Sequence, residues 1–345
     1  MKVLNVSDLD ITNQFVKEIS NSLSSICDVT TSKFTFWEKK GTFDVILFHW
    51  PEELFRYWKE PSQDDLDILI YTLDYWKASS KLYIVRHNIH PHNKQAKNYT
   101  KLYDLIYSNM DGVLHMGEFS KIDYYKRYPS LAQSQNHFLV PHPLYNAIPC
   151  NVAKSEARLK LNIPVDKFVI LVTGAIRSDD EKLLMLRAFK QMQNDRKFLL
   201  VTSMPSHRLR GYLLPSLLLK IYYKSLPNSR FVPTFVPDSE IQYYLGAADV
   251  ILIPRKAPLN SGILPLAFQY GKVVVGPDFG NVGEILNDTG NPTFHFDNDL
   301  SVLNALLEAE KLVNLDKGKD NYNYAMSNWN MDKISEYLKI WIDSI

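Results

Sequence analysis

The sequence predicts an α/β protein made of two Rossmann-like, doubly wound domains. Three observations carry that expectation. Short β-branched or aliphatic runs alternate with longer helical patterns, as in parallel α/β layers. The alternation breaks at Pro141-His142-Pro143 and again at Pro149 and Pro164, where residues unsuited to ladders and helix interiors mark a connection. A second alternating series then starts at Phe168. A chain of 345 residues also exceeds what one typical core fills.

In chain order, the first half reads as strands at Val3–Val6, Asp44–His49, Leu82–His87, Gly112–His115 and His137–Val140. Helical patterns cover Asn13–Ser25, Asp64–Ser79, Lys94–Ser108 and Glu118–Arg127. Asp64 and Asp65 suit the positive start of a helix. The second series places strands at Phe168–Thr173, Lys197–Thr202, Arg230–Pro233, Val250–Ile253 and Lys272–Val275. The last segment, with Trp329, Tyr337 and Trp341, reads as helical and is expected to pack back on the first domain. The division that follows is 1–145, a linker at 146–166, a second domain at 167–320 and C-terminal helices at 321–345. Ligands of doubly wound sheets bind at the carboxyl ends of the strands, so two facing sheets predict a cleft between domains.

Composition narrows the function classes. Hydrophobic residues at 46% and charged residues at 22% are globular values. Lys+Arg at 39 against Asp+Glu at 38 lacks the basic excess of a nucleic-acid binder. Cys27 and Cys150 stand far apart without metal spacing, which fits a reducing cytoplasm. The opening MKVLNVSDLDITNQF reads as a strand followed by acids, not as a secretory leader. No apolar run reaches the roughly 18 residues of a membrane span. One stretch, 208–224, is apolar with basic flanks and could touch an anionic bilayer, against the plainer reading of a helix on the second sheet. GxSxG, GxxxxGK[ST] and an early GxGxxG are all missing, so hydrolase, P-loop and dinucleotide readings lack their anchors.

Two segments of the second half suit a phosphate ligand. The strand FVILVT ends in Gly174, followed by Arg177 and Lys182. A glycine there lets backbone approach a ligand, and the two cations answer a diphosphate's charge; the plainer reading is a βα turn with solvated charges. In Asp249–Glu284, the loop Asn260-Ser261-Gly262 precedes Ile263 and a helical pattern. A helix start offers free N–H groups to phosphate oxygens, while Asn260 or Ser261 could equally be a simple N-cap.

The stretches GAIRSDDEKLLMLRAF, FVPDSEIQYYLGAADVILIP, NSGILPLAFQYGKVVVGP and FGNVGEIL, in that order, resemble the C-terminal half of glycosyltransferase family 4. These are retaining enzymes of the GT-B fold, and the match spans most of 168–290. The resemblance implies a nucleotide-diphospho-sugar donor, with no metal and no cofactor. Arg177 and Lys182 would face its phosphates beside Gly174, and the backbone of Asn260–Ile263 would cap them. Pro233, in the Val232–Val236 loop, would lie near the nucleobase and Glu284 near the ribose or sugar. Many members carry a Glu-x7-Glu pair around the glycine matching Gly262. Here Leu259 and Leu266-Ala267 occupy those places.

In the first half, polar groups gather at predicted strand ends: Asp10, Asn13, His49, Asn88, His115 and Glu118 are the candidates for acceptor binding. The resemblance singles out His87, because members often place a His and a polar residue after that strand, near the transferred sugar. His87, His90 and His92 lie across an irregular loop without the i, i+4 geometry of a helical metal pair. The implied function is retaining transfer of a sugar from a nucleotide-diphospho-sugar to a hydroxyl of a glycan or lipid-linked acceptor, in bacterial surface polysaccharide or glycoconjugate synthesis. The rival readings are a GT-B nucleotide-sugar epimerase and a non-catalytic nucleotide-sugar or glycan binder.

Overall fold

The computed structural model describes residues 1–8, 13–55, 60–90, 97–202, 225–232 and 234–345. Two compact units divide the chain: Met1–Pro143 with Asn328–Ile345, and Leu144–Ser327.

The first unit holds a six-stranded parallel sheet of β1 (Lys2–Val6), β2 (Asp28–Thr31), β3 (Val45–Phe48), β4 (Lys81–Val85), β5 (Gly112–His115) and β6 (Asn136–Leu139), ordered β2-β1-β3-β4-β5-β6. The inner strands are runs such as VILF and GVLH, buried on both faces, as helices covering both sides of a parallel sheet require. Leu4, Ile46 and Ile84 pack with Leu69, Leu73 and Trp76 of the helix Gln63–Lys77 in one cluster. That helix starts at a capping box between Ser62 and Asp65. The C-terminal helix Met331–Asp343 lies on the helix Gln14–Ser24. Its Trp341 is fully buried, with ring centroids 5.3 Å from Tyr83.

The second unit repeats the plan with β7 (Phe168–Val172), β8 (Lys197–Val201), β9 (Ser229–Phe231), β10 (Val250–Leu252), β11 (Val273–Pro277) and β12 (Thr293–Phe294), ordered β12-β11-β10-β7-β8-β9. Its core joins Ile170, Val172, Leu199, Val250 and Val275 to Met185 and Leu306 from flanking helices. All recorded strand pairings in both sheets are parallel.

The expected doubly wound α/β class is therefore borne out, and every predicted strand is present with ends moved by no more than two residues. Among the short elements that were not predicted are β2, β12, the 3-10 turn Pro51–Leu54 and the helices Lys33–Glu38 and Pro129–Ser134. The stretch 146–166 is not bare linker. It carries the helix Lys154–Lys160, whose buried Arg158 donates to Ala247 O at 3.1 Å and to Asp249 Oδ2 at 2.7 Å. Asp249 in turn accepts from the Val169 N–H at 2.7 Å, pinning this helix to the second sheet. The C-terminal stretch also divides later than 321, because Asn321 is buried in the second unit, donating to Lys272 O at 2.9 Å. Among the described residues no helix is long and apolar enough to cross a membrane, and 208–224 lies outside them.

Candidate functional site

Each sheet has one place where the strand order reverses, between β1 and β3 and between β7 and β10. Connections leave in opposite directions there, opening a crevice at the carboxyl ends that favours ligands.

In the second unit, Gly174 follows β7 and adopts φ +81°, a left-handed backbone that a side chain disfavours. A Cβ placed there would lie 3.5 Å from Ile263 Cδ1 and 4.0 Å from a terminal nitrogen of Arg255. The end of β7, the start of the helix Ile263–Gln269 and the residue following Pro254 therefore converge. Ser178 caps the helix Asp179–Gln191 by accepting from Glu181 N at 3.2 Å. Glu181, itself buried, accepts from Arg177 N at 2.7 Å and from Arg255 Nη1 at 2.9 Å through the same Oε2. Burial first, and then the charge of Arg177, lowers the pKa of Arg255, while Glu181 opposes the shift.

The two expected cations separate in this setting. Arg177 is exposed. Lys182 is buried and bonded to Asp179 Oδ1 at 2.9 Å, so it is an internal ion pair and not a cation at a ligand mouth. At the next loop, Gly262 caps the helix Ile263–Gln269 without any side-chain hydrogen bond, so neither Asn260 nor Ser261 is an N-cap. Asn260 instead accepts from Asn281 Nδ2 at 2.7 Å, and Asn281 is buried. Leu259, Leu266 and Ala267, where acids are common in family 4, are all core residues. Glu284 is half-buried in the helix Gly280–Asp288. Pro233 lies outside the described residues.

In the first unit, Asn5 of β1 donates from Nδ2 to Ser20 Oγ at 2.7 Å, leaving Oδ1 to accept from His49 Nε2 at 2.6 Å. Complete burial lowers the His49 pKa to about 3, so the ring is neutral and carries one proton. Its Nδ1 must then accept, and the partner at 3.2 Å is His87 Nε2. The hydrogen-bond direction thus runs from His87 through His49 to Asn5. Trp50 stacks on His87 with centroids 3.6 Å apart, and Phe15 meets it edge-on at 4.7 Å. Phe15 also abuts His142, whose pKa burial lowers to about 4.

The other expected acceptor groups have structural partners. His115 is fully buried: its Nδ1 accepts from Ser120 Oγ at 2.9 Å and its Nε2 donates to His137 Nδ1 at 2.9 Å. His137 Nε2 donates to Ala132 O at 3.2 Å, and because a carbonyl only accepts, this end fixes the direction. Asn13 caps the helix Gln14–Ser24, accepting from Phe15 N at 3.1 Å. Glu118 stands in the first turn of the helix Glu118–Arg127, where its charge suits the dipole. Asn88 bonds to the Tyr103 side chain, which donates to buried Glu52 Oε2 at 2.7 Å. Asp10 and His92 lie outside the described residues.

Sequence reading missed Arg255, Glu181 and Asn5. A proline separates Arg255 from its strand, and only the β7–β10 pairing brings it to Glu181.

No protein-family model matches the chain, and no curated protein sequence matches it. Solved structures do. The chain is similar to sucrose-phosphate synthase from Thermosynechococcus elongatus, at 13% identity and a TM-score of 0.69, over 99% of this chain and 98% of that one. It is similar over the full length of both chains to Anabaena HepE in complex with UDP-glucose, at 12% identity and a TM-score of 0.73. WaaG, a glycosyltransferase involved in lipopolysaccharide biosynthesis, matches at 11% identity and a TM-score of 0.65, over 97% of this chain and 99% of that one. What is shared at these identities is the fold, the two-sheet GT-B architecture.

Proposed function

We propose that this chain is a glycosyltransferase of the retaining, family 4 type. It would move a sugar from a nucleotide-diphospho-sugar to a hydroxyl of a glycan or lipid-linked acceptor, in bacterial surface polysaccharide or glycoconjugate synthesis. The supporting observation is the β7–β10 switch point, where a left-handed glycine, the half-buried Arg255 and a helix start converge, with the exposed Arg177 three residues further along the same loop. A diphosphate leaving group is served by that combination of open backbone and planar cationic forks. The GT-B likeness supports the same reading.

In this reading catalysis is positioning plus stabilisation of the leaving diphosphate, with no side-chain nucleophile. Arg177 serves the leaving group, with Lys182 acting from behind by fixing Asp179 in the first turn of its helix. His87 is proposed to lie near the transferred sugar. Glu284 and Asn260 remain the proposed ribose and phosphate neighbours, and Pro233 the neighbour of the base. The proposed place of action is the cytoplasm, with 208–224 as peripheral contact to the inner face of a membrane.

The test is release of nucleoside diphosphate from a panel of UDP-, GDP- and ADP-sugars with candidate glycan acceptors, starting from UDP-glucose, the ligand of the Anabaena neighbour. Arg177→Ala is expected to cut turnover by roughly 100-fold or more, the size of losing one charge-stabilising donor. Equal turnover in wild type and variant would remove Arg177 from the mechanism. Binding of a nucleotide-sugar without any release or transfer would favour the non-catalytic reading. An epimerised sugar nucleotide formed without acceptor would favour the epimerase.

A further inference from the structure

Around the β7–β10 switch point three cations meet two carboxylates, and the pairings are unequal. Lys182 is matched by Asp179 at 2.9 Å, both on one turn of helix. Glu181 is buried and serves two masters, the Arg177 backbone N–H and the Arg255 guanidinium. Among the described residues the Arg177 side chain has no ion-pair partner. Arg255 uses Nη1 on Glu181, while its Nη2 is the nitrogen that stands 4.0 Å from the Cβ position of Gly174. One tooth of the fork is therefore held by the protein, and the other points at the open backbone of the left-handed turn. Two arginines on adjacent loops repel one another unless an anion lies between them. The side-chain exposure of Arg255 is 15%, so an anion there would meet a cation already stripped of most of its water.

We infer that Arg255 is a phosphate-binding residue of the donor site, taking the diphosphate of a nucleotide ligand with Nη2 and sharing it with Arg177, while Glu181 holds the guanidinium in register. The inference deepens the glycosyltransferase reading and rests on it for the nucleotide, though not for the anion. It also bears on the missing acid pair: with Leu259 and Ala267 in the core, the ligand is gripped here through its phosphates by arginine, without carboxylates on the neighbouring loop.

The experiment is calorimetric titration of the full chain with UDP, GDP and ADP, with uridine and with inorganic pyrophosphate. The proteins are wild type, Arg255→Gln and the double variant Arg255→Gln/Glu181→Gln. The double variant leaves no unpaired buried carboxylate, so it keeps the test meaningful should the single variant fold poorly. Expected is a loss of at least about tenfold in affinity for UDP and pyrophosphate in both variants, the scale of one charged hydrogen bond, with uridine unaffected. Affinities for UDP and pyrophosphate within about twofold of wild type in the double variant would overturn the inference and leave the donor reading standing. Arg255-dependent pyrophosphate binding with no affinity for UDP, GDP or ADP would sustain the anion site and remove the nucleotide reading. Failure of wild type to bind any of these would overturn both.

Discussion

The indole of Trp50 lies flat on the imidazole of His87, with centroids 3.6 Å apart and planes 19° from parallel. The stack fixes the plane of His87, and the 3.2 Å bond to His49 fixes which edge of it faces inward. Long-range proton–nitrogen correlation spectra should therefore show His87 protonated on Nε2 when neutral. Asn5→Leu removes the acceptor for the buried His49 N–H. It should mix the His87 tautomers and cost about 1–3 kcal/mol of stability. A wild-type His87 protonated on Nδ1 would reverse the whole chain of donors.

Acid should weaken the first unit before the second. His49, with a pKa lowered to about 3, and His142, lowered to about 4, are neutral when folded but titrate near 6.5 when unfolded. The unfolded chain then binds more protons across that window, so stability is full above about 6.5 and declines as pH falls toward 3 to 4. His115 and His137, also shifted down by burial, add in the same direction. Hydrogen exchange at pH 7 and pH 5 should show protection lost first in β1 and β3; uniform loss across both sheets would contradict this.

Glu53 works in the opposite sense. Burial, with Glu52 and Asp8 adding and Lys33 opposing, raises its pKa from 4.5 to about 7, and its Oε2 is buried without a hydrogen-bond partner. The folded state holds the proton more tightly, so this group's contribution is complete below 4.5 and is lost as pH rises through 7. Glu53→Gln removes the ionisation and should be more stable than wild type at pH 8, by on the order of 1 kcal/mol after allowing for partial exposure. Chemical denaturation at pH 5 and pH 8 checks it: an advantage that does not grow with pH would refute the assignment.

Two glycines should respond differently to alanine. At Gly280, φ is +70° and a Cβ would sit 2.8 Å from Leu259 O and closer still to Pro258 O. Backbone cannot yield there, and Gly280→Ala should cost a few kcal/mol. At Gly174 the nearest atom is the flexible end of Ile263 at 3.5 Å, so Gly174→Ala should cost about 1–2 kcal/mol, mostly for its φ. The Gly174 variant should nonetheless lose more affinity for UDP than the Gly280 variant, since the methyl group enters the switch point itself. Melting curves read beside UDP titrations separate the two effects.

The inner strands were legible in sequence because both faces are buried and their residues are nearly all aliphatic. β2 was not: DVTT alternates exposed and half-buried positions at a sheet edge, so no apolar run announces it. The helix Lys33–Glu38 is a single short turn region held by Ser32, too brief for periodicity to register. The site was readable only in part. Gly174 and Arg177 stand on one loop, where spacing alone suggests a ligand. Glu181 and Arg255 are distant in sequence, and the outward sign of Lys182 gave no hint of its burial against Asp179. Histidines at strand ends looked equivalent, yet His49 and His115 are enclosed by partners supplied from other strands and helices.

The chain leaves its first unit at Pro143 and returns to it at Asn328. During synthesis the second unit, contiguous in sequence, is fully delivered before the first has its closing helix, although domains usually finish in order from the N-terminus. Until Trp341 arrives, Tyr83 and the flank of Gln14–Ser24 lack their covering helix. A nonsense mutation near the end would then strike the half of the protein that was made first. Its signature would be a native second unit joined to an N-terminal half that chaperones and proteases treat as unfinished.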